Sequence, residues 1–249
     1  MMSVTLYLGC VIRSLYPEVE KAVKETLNRV SIHFEEPKDA SCCAPLGFFS
    51  LNRNVWLRLN ERNMRLFQST VVTACDDCFA SLSDAFKIVS EKNGIKAPEV
   101  KPFEKIMMEK LEERGMVFSF KGLRCAVQHS CHLLRPARGM DDAENPRMVK
   151  RILERLGYLP IPYEGELDCC GGLVFEDRMS RVLADRKTRA LEESGADCVV
   201  VTCSHCMRQL KSVSKLPVLH LAQLSALSLD VKPGEIGVPE TLVRRMVKP

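Results

Sequence analysis

Short runs of aliphatic and β-branched residues alternate along this chain with segments whose apolar positions recur every three or four residues. Val4-Thr5-Leu6-Tyr7-Leu8 has the pattern of a buried strand and ends at Gly9-Cys10. Pro17 opens a helix running to about Arg29, with Val19, Ala22, Val23 and Leu27 on its inner face. Ser31-Ile32-His33-Phe34 predicts a second strand. It leads into a loop holding Cys42-Cys43, which Pro45 and Gly47 keep irregular. Residues 50–68 predict a helix, with Val55, Leu59 and Leu66 on one side. Ser69 to Ala74 predicts a third strand that enters Cys75-Asp76-Asp77-Cys78 and a helix to about Lys92. Asn93-Gly94 through Pro98 marks a boundary, and residues 101–114 form a further helix ended by Gly115.

The pattern then starts again. Leu123 to Gln128 reads as a strand before His129-Ser130-Cys131-His132, and Asn145-Pro146 caps a helix to Leu156. Tyr158 to Tyr163 is a strand, 177–194 a long helix, and Asp197 to Thr202 the strand before Cys203. Leu216 to Leu219 is a last short strand, followed by a helix near 220–227 and a tail from Lys232 with three prolines, expected to be surface-bound or extended. Strands alternating with helices predict parallel sheets joined by right-handed crossovers. The fold class is therefore α/β: a duplicated pair of small parallel-sheet units, each with a five-cysteine cluster site at the carboxyl edge of its strands. The units span 1–95 and 123–228, with a helix-bearing connection over 96–122 and a tail over 229–249.

Cysteine spacing defines the duplication. Cys10 and Cys42-Cys43 are separated by 31 residues, and another 31 precede Cys75-x-x-Cys78. In the second half 37 residues separate Cys131 from Cys169-Cys170, and 32 precede Cys203-x-x-Cys206. The pattern C…CC…CxxC thus occurs twice and uses ten of the twelve cysteines. The offset drifts from 121 at the first cysteine (131 − 10) to 128 at the last (206 − 78), as duplication followed by loop changes leaves it.

Composition narrows the chemistry. At 249 residues and 46% hydrophobic, the chain can build two modest cores. A formal charge of +4 with no basic tract gives no reason to expect nucleic acid as a partner. The start lacks the basic and apolar regions of a secretory leader, and no apolar run reaches the ~20 residues of a transmembrane segment. A cytoplasmic chain is expected, associated with a membrane only through partners. In that reducing compartment clustered cysteines are metal ligands rather than disulfides. A structural zinc takes four ligands. Five thiolates that include a vicinal pair, whose side chains diverge, suit several metal atoms and favour an iron–sulfur cluster, with zinc in one unit as the lesser alternative.

Leu8-Gly9-Cys10, Ser41-Cys42-Cys43, Cys131-His132-Leu133-Leu134-Arg135-Pro136, Asp168-Cys169-Cys170-Gly171-Gly172 and Gly195-Ala196-Asp197 resemble the cysteine-rich CCG-domain family, and within it the B subunits of heterodisulfide reductases. The likeness covers roughly residues 4–228. Two features depart from the family pattern: the gaps before each CxxC are short, and the connection between the units is compact; Ala44 stands where the second repeat has Gly171, which the family tolerates in its first repeat. The resemblance implies two noncubane [4Fe–4S] clusters. Cys10, Cys42, Cys43, Cys75 and Cys78 would bind one; Cys131, Cys169, Cys170, Cys203 and Cys206 would bind the other. It also implies cleavage of a small-molecule disulfide, that of coenzyme M and coenzyme B, in a cavity between the clusters. The implied partners are a ferredoxin-like protein with two [4Fe–4S] clusters (the C type of subunit) and a flavin-bearing protein (the A type). Related CCG proteins serve thiol:fumarate reductase, succinate dehydrogenase-like, glycolate or lactate oxidase and sulfur-oxidising complexes, and a structural zinc or iron–sulfur assembly protein is the non-enzymatic alternative.

His132 and His205 adjoin cluster cysteines and are the candidate catalytic residues, as proton donors or as hydrogen-bond donors that tune a cluster. Cys125 and Cys198 lie inside strands and read as small buried apolar residues. His129 and His220 read as structural. Arg135 has two readings, an anion contact and a surface or capping role. Met107-Met108 reads as core, and Gly171-Gly172 as room for close backbone approach to a cluster.

Overall fold

The computed structural model describes residues 3–246. The first half runs β1 (Ser3–Tyr7), α1 (Cys10–Leu15), α2 (Pro17–Arg29), β2 (His33–Glu35), α3 (Leu46–Leu51), α4 (Arg53–Leu66), β3 (Val71–Thr73), α5 (Asp76–Asn93), β4 (Val100–Pro102) and α6 (Phe103–Glu113). The second runs β5 (Arg124–Gln128), α7 (Cys131–Leu134), α8 (Met148–Arg155), β6 (Leu159–Ile161), α9 (Asp177–Glu193), β7 (Cys198–Val201), α10 (Ser204–Lys211), β8 (Val218–His220) and α11 (Leu221–Ser228), then a 3-10 turn (Pro233–Ile236) and α12 (Glu240–Val243). There are two four-stranded sheets, ordered β2-β1-β3-β4 and β6-β5-β7-β8, with every pairing parallel. The same order twice is the predicted duplication.

The strands form where expected because they are buried on both faces. Val4, Leu6, Val71 and Val72 in the first sheet and Ala126, Val127 and Val199 in the second are essentially inaccessible. Four details differ from the sequence reading. The helix expected over 50–68 is two, because Asn52 breaks it and its Oδ1 caps α4 by accepting from Val55 N at 3.1 Å. The second strand starts two residues late, since Ser31 adopts a left-handed turn with φ 57°. The segment 96–122 carries β4 as well as a helix; Val100-Lys101-Pro102 is too short and polar to read as a strand, yet pairs with Val71–Thr73. The tail is bound to the body of the protein rather than extended: it folds into the 3-10 turn and α12, Ile236, Val238 and Leu242 are buried, and Gln223 Nε2 donates to Ile236 O at 2.7 Å. Residues 247–249 of that predicted tail, and Met1-Met2 of the expected leaderless start, lie outside the described residues.

The expectation of two cores is also corrected: the buried apolar residues form one contiguous cluster spanning both halves. The helices after the last strands cross over. α11 of the second half packs on α2 of the first, and α6 of the first packs on α8 of the second. Thr26 Oγ1 donates to Ala222 O at 3.4 Å and Arg29 to Leu229 O at 2.5 Å across the first seam; Arg151 pairs with Glu112 at 3.0 Å across the other. This crossing brings the carboxyl edges of the two sheets together.

Candidate metal centre

In each sheet the connections leave the first strand toward opposite sides. The carboxyl ends of β1 and β3, and of β5 and β7, are therefore topological switch points, where open α/β sheets hold ligands. Cys10 opens α1 after β1, and Cys75 is the N-cap of α5 after β3. Cys131 opens α7 after β5, and Cys203 is the N-cap of α10 after β7.

In the first unit Cys10 Sγ lies 3.4 Å from Cys42 Sγ, and Cys43 Sγ 3.3 Å from Cys78 Sγ. The loop bearing the vicinal pair is held from beneath. Ser81 Oγ sits 2.7 Å from the carbonyls of both Cys43 and Ala44 and accepts from Trp56 Nε1 at 2.8 Å. Asn60 Nδ2 donates to Cys43 O at 2.8 Å, and Asn63 Oδ1 accepts from Ser41 N at 2.8 Å. Backbone N–H of Ala44 donates to Cys42 Sγ at 3.4 Å. The second unit repeats the scheme: Cys170 Sγ is 3.2 Å from Cys206 Sγ, and Gly171 N donates to Cys169 Sγ at 3.3 Å. Its loop is pinned differently, by Ser180 Oγ on Gly171 O at 3.0 Å and by buried Lys187, whose Nζ donates to Gly165 O at 2.5 Å.

Protons are shared within these pairs. Cys42 and Cys169 are each drawn down to about 2, first by the hydrogen bonds donated by Cys10 and Cys131. The charges of His205 on Cys42 and of His132 on Cys169 act the same way. Cys170 is pushed up to about 11 because it donates to Cys169.

The two edges meet at their CxxC motifs. Cys75 Sγ lies 4.0 Å from Cys203 Sγ and 3.1 Å from Ser204 Oγ, and Ser204 N donates to Cys75 Sγ at 3.3 Å. Asp76 N donates to Thr202 O at 3.3 Å, and Thr202 Oγ1 donates back to the Asp76 carboxylate. Asp77, 1% exposed, places Oδ1 2.5 Å from His132 Nδ1 and Oδ2 3.6 Å from His205 Nε2. Burial pulls His132 down, but the Asp77 carboxylate outweighs it and the ring is held above its ordinary range.

The residues present fit an iron–sulfur group by the chemistry of their donors. All twelve cysteines are free, and the ten of the repeat lie at the two strand edges, several of them buried. Backbone is cut back to admit a sulfur at Gly9, where a Cβ would come 2.7 Å from Cys78 Sγ; at Gly172 a Cβ would instead meet the backbone O of His205 at 2.7 Å. Among the described residues the thiols stand in pairs, and no three His, Cys, Asp or Glu side chains close on one point as ligands of a single ion do. A hollow of about 200 Å³ opens beside Cys10 and Cys42. A larger one of about 790 Å³ lies along α9 and meets the thiol sites only through Asp168.

The other candidates separate cleanly. Cys125 and Cys198 are register partners in β5 and β7, with sulfurs 3.6 Å apart inside the sheet and no exposure. His129 pairs with Glu166 at 2.9 Å, and His220 caps α11. Arg135 pairs with Glu144 at 2.5 Å on the surface. Met107 and Met108 are core. Sequence reasoning passed over Asp77 and the buried acid pair of Asp76 and Glu104, both raised, first by burial. The signal was two acidic residues inside a CxxC motif, where thiolates disfavour further negative charge.

A family model described as a cysteine-rich CCG domain matches residues 4–83 and 125–211. The B subunit of the ferredoxin:CoB-CoM heterodisulfide reductase of Methanosarcina mazei is 30% identical over 99% of this chain and 95% of its own length. The 8-methylmenaquinol:fumarate reductase membrane anchor subunit of Wolinella succinogenes is 26% identical over 94% of this chain and 95% of its own. Among solved structures, a hypothetical protein from Helicobacter pylori matches 94% of this chain with a TM-score of 0.71 at 12% identity; this chain spans 50% of it, and the likeness is one of fold. No helix among the described residues is long and apolar enough to cross a membrane.

Proposed function

This chain belongs to the cysteine-rich CCG-domain family, and on that premise we propose that it is the catalytic iron–sulfur subunit of a heterodisulfide-reductase-type complex. Its relatives include subunits of multi-subunit reductases, so this chain works with partner proteins in electron transfer. The finer reading is that each five-cysteine set holds a noncubane [4Fe–4S] cluster. Between them the coenzyme M–coenzyme B disulfide is reduced, with electrons delivered through ferredoxin-like and flavin-bearing partners. The observation that carries it is the meeting of the two edges, with Cys75 and Cys203 4.0 Å apart.

Reduction of a disulfide consumes two electrons and two protons and yields two thiols. Bound clusters supply the electrons one at a time and iron as a soft acceptor for sulfur. The chain's own residues do the rest. Cys10, Cys42, Cys43, Cys75 and Cys78 hold one group; Cys131, Cys169, Cys170, Cys203 and Cys206 hold the other. His132 carries a proton at Nδ1 against Asp77, and the charges of His132 and His205 reach Cys169 and Cys42 respectively. Each vicinal pair thus has one histidine able to serve a departing thiolate.

Anaerobic analysis for iron, acid-labile sulfide and zinc, with EPR after adding thiol and a viologen-driven disulfide assay, tests this. About eight irons per chain, a thiol-dependent paramagnetic signal and thiol release support it. One or two zinc ions with little sulfide sink it in favour of a structural role. Full iron with no action on any disulfide moves the chain to the electron-transfer role of a fumarate-reductase-type complex, which the Wolinella relative favours.

A further inference from the structure

We propose that Asp77 is a positioning residue common to both cysteine sites: one buried carboxylate from the first unit orients the two histidines of the second. This rests on the function proposed above. Asp77 stands in the first turn of α5 between Cys75 and Cys78, and both rings it faces come from the other half of the chain. His132 follows Cys131 in α7, and His205 lies inside Cys203-Ser204-His205-Cys206. A carboxylate on one ring nitrogen fixes the tautomer and the direction of the other. His132 uses Nδ1 for this and leaves Nε2 for the site. His205 turns Nε2 toward Asp77, which leaves Nδ1.

Two buried atoms there lack partners: Asp77 Oδ2 and His205 Nδ1. Buried polar atoms are nearly always paired, so each orphan calls for an explanation. At 3.6 Å, His205 Nε2 needs to approach Oδ2 by only a few tenths of an ångström to hydrogen-bond it. That leaves Nδ1 as the nitrogen presented to whatever the cysteines bind. α5 also holds His132 from behind. Asp84, two turns on along the same face, pairs with Arg138 at 2.7 Å, and Arg138 Nη1 donates to His132 O at 2.6 Å. Ring and backbone of His132 are thereby fixed by one helix.

The repeat explains why a single carboxylate serves both. Position 77 is the counterpart of 205, and position 132 is the counterpart of Val11 (132 − 121). The halves have diverged, one into the carboxylate donor and the other into the histidine donor.

The test uses the anaerobically loaded protein: wild type, Asp77→Asn, Asp77→Glu, and Arg151→Ala as a control that breaks a surface ion pair between the halves. Exchangeable protons near the spin-bearing site are read by electron–nuclear double resonance in H₂O against D₂O. Disulfide reduction is followed alongside. Asp77→Asn should keep its iron, alter the exchangeable-proton couplings, and slow turnover about 10²-fold with little change in KM. Asp77→Glu should recover part of both, and Arg151→Ala should match wild type. Full iron with wild-type couplings and turnover in Asp77→Asn overturns the proposal. If Asp77→Asn loses its iron, His132→Asn carries the test, and unchanged couplings there overturn it equally. A wild-type protein without iron–sulfur signals refutes the functional reading and this proposal with it. Wild type with clusters but no disulfide activity refutes only the substrate, and the proton couplings still decide Asp77.

Discussion

Gly171 and Ala44 occupy the same place in the two repeats, directly after the vicinal cysteines, and both have left-handed backbone, with φ of 80° and 46°. An L side chain there costs about 1–2 kcal/mol, a strain the first unit already sustains at Ala44. Gly171→Ala adds something the first unit never meets. Its Cβ would lie 2.5 Å from Ser180 O in the backbone of α9 and 3.2 Å from Leu183 Cβ. Neither atom is the loose end of a flexible chain, so the loop or the helix must shift, at a further cost of about 1–3 kcal/mol. The total is about 3 kcal/mol, which for a chain of this size lowers Tm by roughly 6–12 °C.

The shift also acts on the site, because Gly171 N donates to Cys169 Sγ and Ser180 Oγ donates to Gly171 O. Displacing the loop moves Cys169 and Cys170 away from Cys131 and Cys206. Thermal unfolding with iron analysis after anaerobic loading is the assay. Gly171→Ala should lose stability as above and about half the iron, that of the second unit, while Ala44→Gly should keep all of it and change Tm by no more than a few degrees. Full iron in Gly171→Ala, with a Tm loss no larger than backbone strain predicts, would refute the steric argument.

Further outcomes follow from single contacts. Gly9→Ala, with φ 76° and a Cβ 2.7 Å from Cys78 Sγ, should deplete iron in the first unit, whereas Gly94→Ala, with nothing within 4 Å, should not. Ser81→Ala leaves Trp56 Nε1 unpaired in the core and frees the Cys43 loop, so it should cost about 1–3 kcal/mol by urea unfolding and slow iron uptake. Cys125→Ala should cost roughly 1–2 kcal/mol and leave iron unchanged, whereas Cys131→Ala should lose iron. Burial depresses Lys187 from 10.5 to about 8. Between those values the folded state binds fewer protons than the unfolded chain, so wild-type stability should rise with pH across that window. Relative to Lys187→Met the rise should be on the order of 3 kcal/mol, and pH-dependent urea titrations that run parallel for the two proteins would disprove it.

The duplication and the placing of Cys10, Cys75, Cys131 and Cys203 just after strands were legible because each depends on local pattern. A short apolar run followed closely by a cysteine, as at Cys10, Cys75, Cys131 and Cys203, reads as a buried strand with its thiol at the carboxyl edge. β4 was not legible. Val100-Lys101-Pro102 has no apolar alternation and is a strand only because β3 offers it a free edge. The break at Asn52 lay in the sequence as a capping residue, hidden within a longer amphipathic run. Asp77 was illegible for a different reason. It faces His132, 55 residues away on the other half of the chain, and no local pattern encodes that meeting.

The crossing of α6 and α11 is what turns a repeat into a site. Two separate units would each offer an edge of five thiols to solvent. Instead the helix after each sheet packs on the first long helix of the other, and the apolar core is continuous through both. Neither half can move without opening that core, so the edges are held face to face with a rigidity that loops alone do not provide. Duplication by itself would make the two sites alike. The contact between them removes that equivalence: Cys75 and Asp77 of the first CxxC meet Ser204 and His205 of the second, and Asp76 meets Thr202. Two negative pairs in register would repel, and two histidine pairs would lack a carboxylate to orient them. The asymmetry this leaves at the centre sets one buried carboxylate, Asp77, against two histidines, His132 and His205.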